Sequence, residues 1–164
     1  VVKNLTLDNH MTEKEIFEHM FTIAPQSKDT DGVVTSCLVR DDEIIADAVS
    51  AGVEHAEYML LQKLTAEGIE ILPTDTIYVT LQPCDRRSAG PGELLGDCTT
   101  NVTKAGIRNV VYSATYPKSE KSLERFAEAG ISVKQCSDVD IVRRSVELFN
   151  STNQDQAKHI PMPN

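Results

Sequence analysis

His55 and Glu57 stand two residues apart in GVEHAEYMLLQKL (52–64), after a glycine and at the head of an apolar-periodic run. Further along, Cys84 directly follows the strand-like TIYVTLQP, and Cys98 opens CTTNVTKAG. One imidazole and two thiolates form a donor set that zinc takes readily. Three protein ligands also leave a fourth position open for water, as a catalytic site requires. A glutamate beside such a metal, itself unligated, can take a proton from bound water and return it to a substrate. Glu57 is placed for that role, in the same first turn as His55. A helix start and a metal both favour the thiolate form of cysteine. Each half of this constellation is weak alone: H-x-E on a helix is usually surface decoration, and a cysteine after a strand is more often a small buried hydrophobe. Order and placement together make the prediction of a metal site with His55, Cys84 and Cys98 as ligands.

The elements that must position these residues alternate along the chain. TEKEIFEHMF (12–21) carries a capping box, Thr12 with Glu15, ahead of apolar residues at 16, 17, 20 and 21, and reads as an amphipathic helix. Pro25 and Gly32 break it. VVTSCLVRDDEIIADAV (33–49) reads as two strands joined at Asp41-Asp42. A helix begins near Glu54 and closes at Gly68. A β-branched strand covers 76–83, stopped by Pro83, and a polar, glycine-containing loop follows. The spacing then predicts a helix over 98–106, a strand over 107–114, a helix from near Ser119 to Gly130, a short strand over 131–136, and a last helix over 137–150 capped by Ser137. Helix, hairpin, then alternating strands and helices predict an α/β fold: a three-layer α/β/α sandwich around a five-stranded mixed sheet. Residues 1–150 would form one domain, and the polar, proline-bearing 151–164 a C-terminal tail. In open α/β sheets the chemistry lies beyond the carboxyl ends of strands, where loops meet helix N-termini. His55, Cys84 and Cys98 all fall at such places.

Composition excludes other classes. The 164 residues hold 16 Lys and Arg against 25 Asp and Glu, a net charge of −9, and the basic residues are scattered. Binding a phosphate backbone draws on clustered cations, so a nucleic-acid partner is not expected. Aromatic residues are 5% with no Trp, too few for a stacking platform on single strands. The longest apolar runs are only a few residues, so no membrane span is expected. Four cysteines without a secretory signal point to free thiols or metal ligands in a cytoplasmic protein. A small-molecule substrate is the expected partner.

The motifs resemble the zinc-dependent cytidine and deoxycytidylate deaminase-like superfamily. The likeness rests on HAE at 55–57, TLQPC at 80–84, Cys98 ahead of AGIRNVVYS, and AGISV at 129–133; with the hairpin it covers most of 33–135. The family pattern is H-x-E followed by P-C-x-x-C, and His55, Glu57, Pro83 and Cys84 match it. Thirteen residues, Asp85 to Asp97, separate Cys84 from the second cysteine where the pattern has two. A long separation is closest to the pyrimidine deaminases of riboflavin biosynthesis. Gln82 stands where many relatives have glutamate, and the hairpin asparagine that holds the sugar in relatives has no match, with Asp47 and Ser50 nearby. The resemblance implies a cytidine deaminase-like fold, Zn2+ as cofactor, and a homo-oligomer. It implies hydrolytic deamination of a small aminated pyrimidine base, nucleoside or nucleotide, with zinc hydroxide as nucleophile and Glu57 as proton shuttle. Backbone N–H groups of Ala56 and Cys84 would contact the substrate ring. The alternatives are a purine or other nucleobase deaminase, or a non-catalytic zinc-binding scaffold of the same fold.

The remaining residues were weighed against plainer roles. Arg86 and Arg87 follow Cys84 in a loop that could cover the site and would suit a substrate phosphate; the plain alternative is a solvated pair. Cys37 and Cys136 are expected to be structural. Glu54 is read as a charge favouring the helix start. His10, His19 and His159 are assigned no role.

Overall fold

The Asp41-Asp42 turn sets the sheet. In the computed structural model, which describes residues 10–87 and 90–164, both aspartates have positive φ, 51° and 61°. That pair of left-handed conformations gives a two-residue turn the twist its strands need. The turn joins β1 (Thr35–Arg40) to β2 (Glu43–Val49), with Arg40 opposite Glu43 and an irregularity between Leu38 and Val39. Residues 1–9, at the start of the predicted domain, and 88–89, within the loop after Cys84, lie outside the described residues.

The other elements follow in the predicted order: α1 (Glu13–Ile23) ahead of the hairpin, then α2 (Ala56–Glu67), β3 (Thr76–Leu81), α3 (Cys98–Lys104), β4 (Asn109–Ala114), α4 (Ser122–Glu128), β5 (Ser132–Gln135) and α5 (Val139–Thr152). The sheet order is β2-β1-β3-β4-β5. β1 lies antiparallel to β2 and β3, whereas β3–β4 and β4–β5 are parallel. This is the five-stranded mixed sheet expected, flanked by helices on both faces. Period-two alternation shares the strands between layers. Leu38 of β1 and Val110 of β4 pack with Leu60, Leu64, Val102 and Phe126 of α2, α3 and α4. Their neighbours Cys37, Val39 and Val111 pack with Ile16, Phe17 and Met20 of α1 and Ile141 of α5. Phe17 and Phe126 are fully buried on opposite faces, each contributing about 2 kcal/mol of burial free energy. No helix of the described residues is long and apolar enough to cross a membrane.

Two helix starts differ from expectation. α4 begins at Ser122 rather than near Ser119, because Pro117–Ser119 forms a separate 3-10 turn. α5 is capped by Asp138, whose carboxylate accepts from the N–H groups of Asp140 and Ile141; Ser137 stands one residue too early. The capping box of α1 is present as read, with Thr12 and Glu15 exchanging bonds.

Behind β3 the carboxylate of Asp75, fully buried, takes a two-pronged bond from Arg40 (Nε and Nη2, both 2.8 Å) and another from Leu72 N–H (2.8 Å). Burial acts to raise its pKa, but the Arg40 and Leu72 bonds outweigh burial and hold it below the ordinary value. A carboxyl depressed in the folded state stabilises the protein above its unfolded-state pKa, and that contribution is lost as pH falls through the folded value. Asp75→Asn is therefore expected to cost about 2–3 kcal/mol at pH 7. Urea melts should show the gap between wild type and variant narrowing below about pH 4. A gap independent of pH would refute the ionic account.

Candidate metal centre

Each ligand is held by the end of an element. His55 occupies the N-cap of α2 in extended conformation (φ −65°, ψ 159°), so its side chain leaves the helix axis at the point where backbone N–H groups lack partners. Ala56 and Glu57 are the first two helical residues. Cys84 follows β3, and Cys98 is the first residue of α3, whose N-cap is Asp97 bonded to Thr100 N–H. The two cysteines are tied by backbone as well. The carbonyl of Cys84 accepts from Thr99 N–H (3.0 Å) and from Thr99 Oγ1 (2.9 Å), and Cys98 N–H lies 3.3 Å from Cys84 Sγ. The thirteen-residue separation is thereby closed, with Cys98 held at the cluster.

Arg125 of α4 joins the loop's two ends. Its Nη1 donates to the Asp85 carbonyl (2.8 Å) and the Asp97 carboxylate (3.1 Å), and its Nη2 to Thr100 Oγ1 (2.5 Å). Asp85 also bonds Lys121 N–H through its carboxylate. Arg87 fastens the loop to the segment before α2, donating from Nε to Gly96 O and from Nη1 to Val53 O, both 2.8 Å. Its Nη2 is buried and has no partner among the described residues. Arg86 is exposed, beside Asp85 and Glu120.

His55 Nδ1 lies 3.3 Å from Cys98 Sγ and 3.6 Å from Cys84 Sγ, and all three donor atoms fall within 4.8 Å of one another. Tetrahedral zinc with ordinary Zn–N and Zn–S bonds would separate its ligand atoms by about 3.5–3.8 Å. The spacing and the nitrogen–sulfur–sulfur donor set fit Zn2+. No other group of three potential ligands comes together among the described residues. Cys37 and Cys136 are buried in the core between α1 and the sheet, and burial pushes both thiols up. At the cluster the thiols separate. A hydrogen bond from Cys98, with His55 adding to it against the cost of burial, draws Cys84 down to about 4. That same bond and burial push Cys98 up.

Glu57 is 3% exposed, with Oε2 accepting from Cys98 Sγ at 3.4 Å. Burial raises its pKa, opposed by His55. A cavity of about 230 Å³ opens here, with His55, Glu57, Cys84, Arg86 and Arg87 in its lining. That volume suits a small ring compound. Its apolar wall is Tyr116 edge-on to Phe149 (centroids 5.8 Å apart, 61°). Gly32 fits against that ring with φ +99°; a Cβ there would lie 2.4 Å from Phe149 Cε2. Gln82 stands beneath, 5% exposed, donating from Nε2 to Ser119 O (3.0 Å) and Ser122 Oγ (2.8 Å). The first of those bonds needs a donor that glutamate lacks. Ser50 lines the cavity, whereas Asp47 faces a separate hollow and pairs with His19 and Lys63. Sequence reasoning did not single out Arg125, Tyr116 or Phe149. Their partners are distant in the chain, and no local spacing marks them.

A search of curated proteins finds no significant match to the chain. Solved structures share its fold. A Thermotoga maritima diaminohydroxyphosphoribosylaminopyrimidine deaminase/5-amino-6-(5-phosphoribosylamino)uracil reductase is 24% identical with TM-score 0.61, over 83% of this chain and 42% of that one. Aspergillus oryzae Rib2 deaminase, as a C-terminal deletion mutant, is 17% identical with TM-score 0.69, over 88% of this chain and 94% of that one. Deoxycytidylate deaminase from cyanophage S-TIM5 is 18% identical with TM-score 0.59, over 77% of this chain and 100% of that one. The chain thus spans less than half the length of the bifunctional Thermotoga protein. At these identities the likeness is one of fold. Membership rests on sequence: residues 11–114 match the cytidine and deoxycytidylate deaminase zinc-binding region, a span that contains Glu57 and all three members of the cluster, and the chain belongs to that family.

Proposed function

We propose that the chain is a zinc-dependent hydrolytic deaminase of a small aminated pyrimidine base, nucleoside or nucleotide, of cytosine or diaminopyrimidine ribotide type. The observation that carries this reading is a buried carboxyl, Glu57, lining a small cavity directly beside a His/Cys/Cys cluster. His55 Nδ1, Cys84 Sγ and Cys98 Sγ would hold the metal. When bound there, zinc supplies a hydrolytic nucleophile at neutral pH by acidifying water. Glu57 does the proton work: its free carboxylate oxygen accepts a proton as attack begins at the amine-bearing ring carbon. It then delivers that proton to the ring nitrogen, takes a second proton from the hydroxyl added at the carbon, and passes that one to the amine, which departs as ammonia while the carbon becomes a carbonyl. The α2 N-terminus leaves Ala56 N–H without a helical partner, and with Cys84 N–H it would orient the ring. Arg86 at the rim and Arg87 in the wall would meet acceptor groups of the substrate. The Tyr116–Phe149 wall keeps bulk water from the ring.

The test is zinc content with parallel ammonia release, across cytosine, cytidine, CMP, dCMP, the diaminopyrimidine ribotide, adenine and guanine. About one zinc per chain and ammonia from a pyrimidine are expected. Ammonia from purines alone would replace the substrate class. Zinc with no ammonia from any compound would favour a scaffold role.

A further inference from the structure

Four buried side-chain polar atoms lack a partner among the described residues, and two of them, Arg87 Nη2 and Asn153 Nδ2, belong to residues that line the cavity beside the cluster. Both are N–H donors. Unmet buried donors are rare in folded proteins and costly when they occur, so two of them on residues of one cavity wall mark a place where acceptors are brought in.

Asn153 is the more telling of the two. It sits just past α5, as that helix's C-cap, and is 5% exposed. Its other polar atoms are all engaged. Oδ1 accepts from Asp155 N–H (3.0 Å), the backbone carbonyl accepts from His159 Nε2 (2.9 Å), and the backbone N–H donates to Asn150 O (3.2 Å). The Asp155 bond fixes which end of the amide is oxygen, leaving the NH2 end unmatched. The residue is held from both sides. Its backbone bridges Asp31, and beyond it Ile160, 4% exposed, is bracketed by Asn150, whose Nδ2 donates to Ile160 O and whose Oδ1 accepts from Ile160 N–H. The segment after α5 is therefore anchored, and it delivers Lys158 as well as Asn153 to the cavity lining.

We propose that Asn153 is a specificity residue, its Nδ2 donating to an oxygen acceptor that the substrate carries beyond its reacting ring, so that residues 153–158 form one wall of the substrate site. The proposal rests on the deaminase reading for what the ring is, and on the cavity for where the acceptor lies. A sugar hydroxyl and a phosphate oxygen offer the same acceptor chemistry.

Asn153→Asp keeps the oxygen that accepts from Asp155 N–H but replaces the donor with a charge; Asn153→Ala removes the donor without adding charge. A loss seen in both variants therefore belongs to the donor, and a phosphate-confined loss seen only in Asn153→Asp belongs to repulsion and overturns the proposal. Calorimetric binding of uracil, uridine, UMP and ribose 5-phosphate to the zinc-loaded proteins reads the effect without turnover. Wild type is expected to prefer a sugar-bearing compound to uracil. Asn153→Asp should lose about tenfold or more of that preference, with uracil affinity and zinc content unchanged. Equal losses for uridine and UMP would assign the acceptor to the sugar, and a loss in both variants confined to UMP and ribose 5-phosphate would assign it to phosphate. Binding by both variants like wild type would overturn the proposal, showing the amide to be satisfied by solvent. Failure of wild type to prefer any sugar-bearing compound would overturn it equally. An Asn153-dependent preference in a protein that releases no ammonia would leave this inference standing and sink the deaminase reading alone.

Discussion

Glu57→Gln is expected to release ammonia at least about 10²-fold and up to about 10⁴-fold more slowly than wild type, with zinc content unchanged. The substitution is close to isosteric, and the site tells us what it removes. Glu57 is buried in the first turn of α2, and its Oε2 accepts one bond, from Cys98 Sγ. A glutamine can still present an oxygen to that thiol, so the cluster keeps its shape. It cannot take up a proton, so the shuttle between water and ring is broken. Stability should hold or rise, because burial already disfavours the charged carboxyl and an amide carries no charge to desolvate. Colorimetric ammonia release, metal analysis and a thermal melt on the same preparation separate these effects. Near-normal turnover would assign the proton transfers elsewhere. Loss of zinc together with turnover would make Glu57 a holder of the cluster rather than a base.

What was legible beforehand is what neighbouring residues encode. Thr12 with Glu15 announces α1, since both halves of the capping box lie within one turn. Asp41-Asp42 announces the hairpin, because few residues tolerate two successive left-handed conformations. The meeting of His55, Glu57 and Cys84 was legible because each stands at or near the end of an element, and apolar periodicity shows where elements end. What stayed hidden is carried between distant residues. Arg125 of α4 clamps Asp85 and Asp97 at the two ends of one loop, and Arg87 pins the same loop to Val53. Neither pairing has a local signature, so the spacing of Cys98 looked anomalous when its position was not. The start of α4 was misplaced for a similar reason: Ser119 reads as a cap, but its hydroxyl donates to Gln82 O. Composition averaged over 151–164 likewise does not show its single apolar anchor, Ile160.

Cys98→Ser should lower zinc affinity by more than the roughly 10–100-fold that loss of an outer-shell partner costs, and abolish ammonia release with it. Cys98 is the proposed ligand whose spacing departs from the family pattern, so it is the one worth removing. The serine hydroxyl can donate to Glu57 Oε2 as the thiol does, which preserves the metal-free packing of a residue only 1% exposed. It is a much poorer donor to zinc, which prefers thiolate sulfur and imidazole nitrogen. The variant therefore separates packing from ligation. Its metal-free melting temperature should match that of metal-free wild type, while the rise in melting temperature on adding zinc, present in wild type, should largely vanish. Cys37→Ala and Cys136→Ala supply the contrast. Both thiols lie in the core against α1, so their removal should cost stability by shortening core side chains and leave one zinc per chain. Full zinc retention in Cys98→Ser, with loss in Cys136→Ala, would move the third ligand to the residue after β5, packed in the core with α1, and require the cluster to rearrange. The backbone ties from Cys84 to Thr99 and Cys98 argue against that. They hold the α3 N-terminus against Cys84, which keeps two sulfurs and a nitrogen within 4.8 Å of one another.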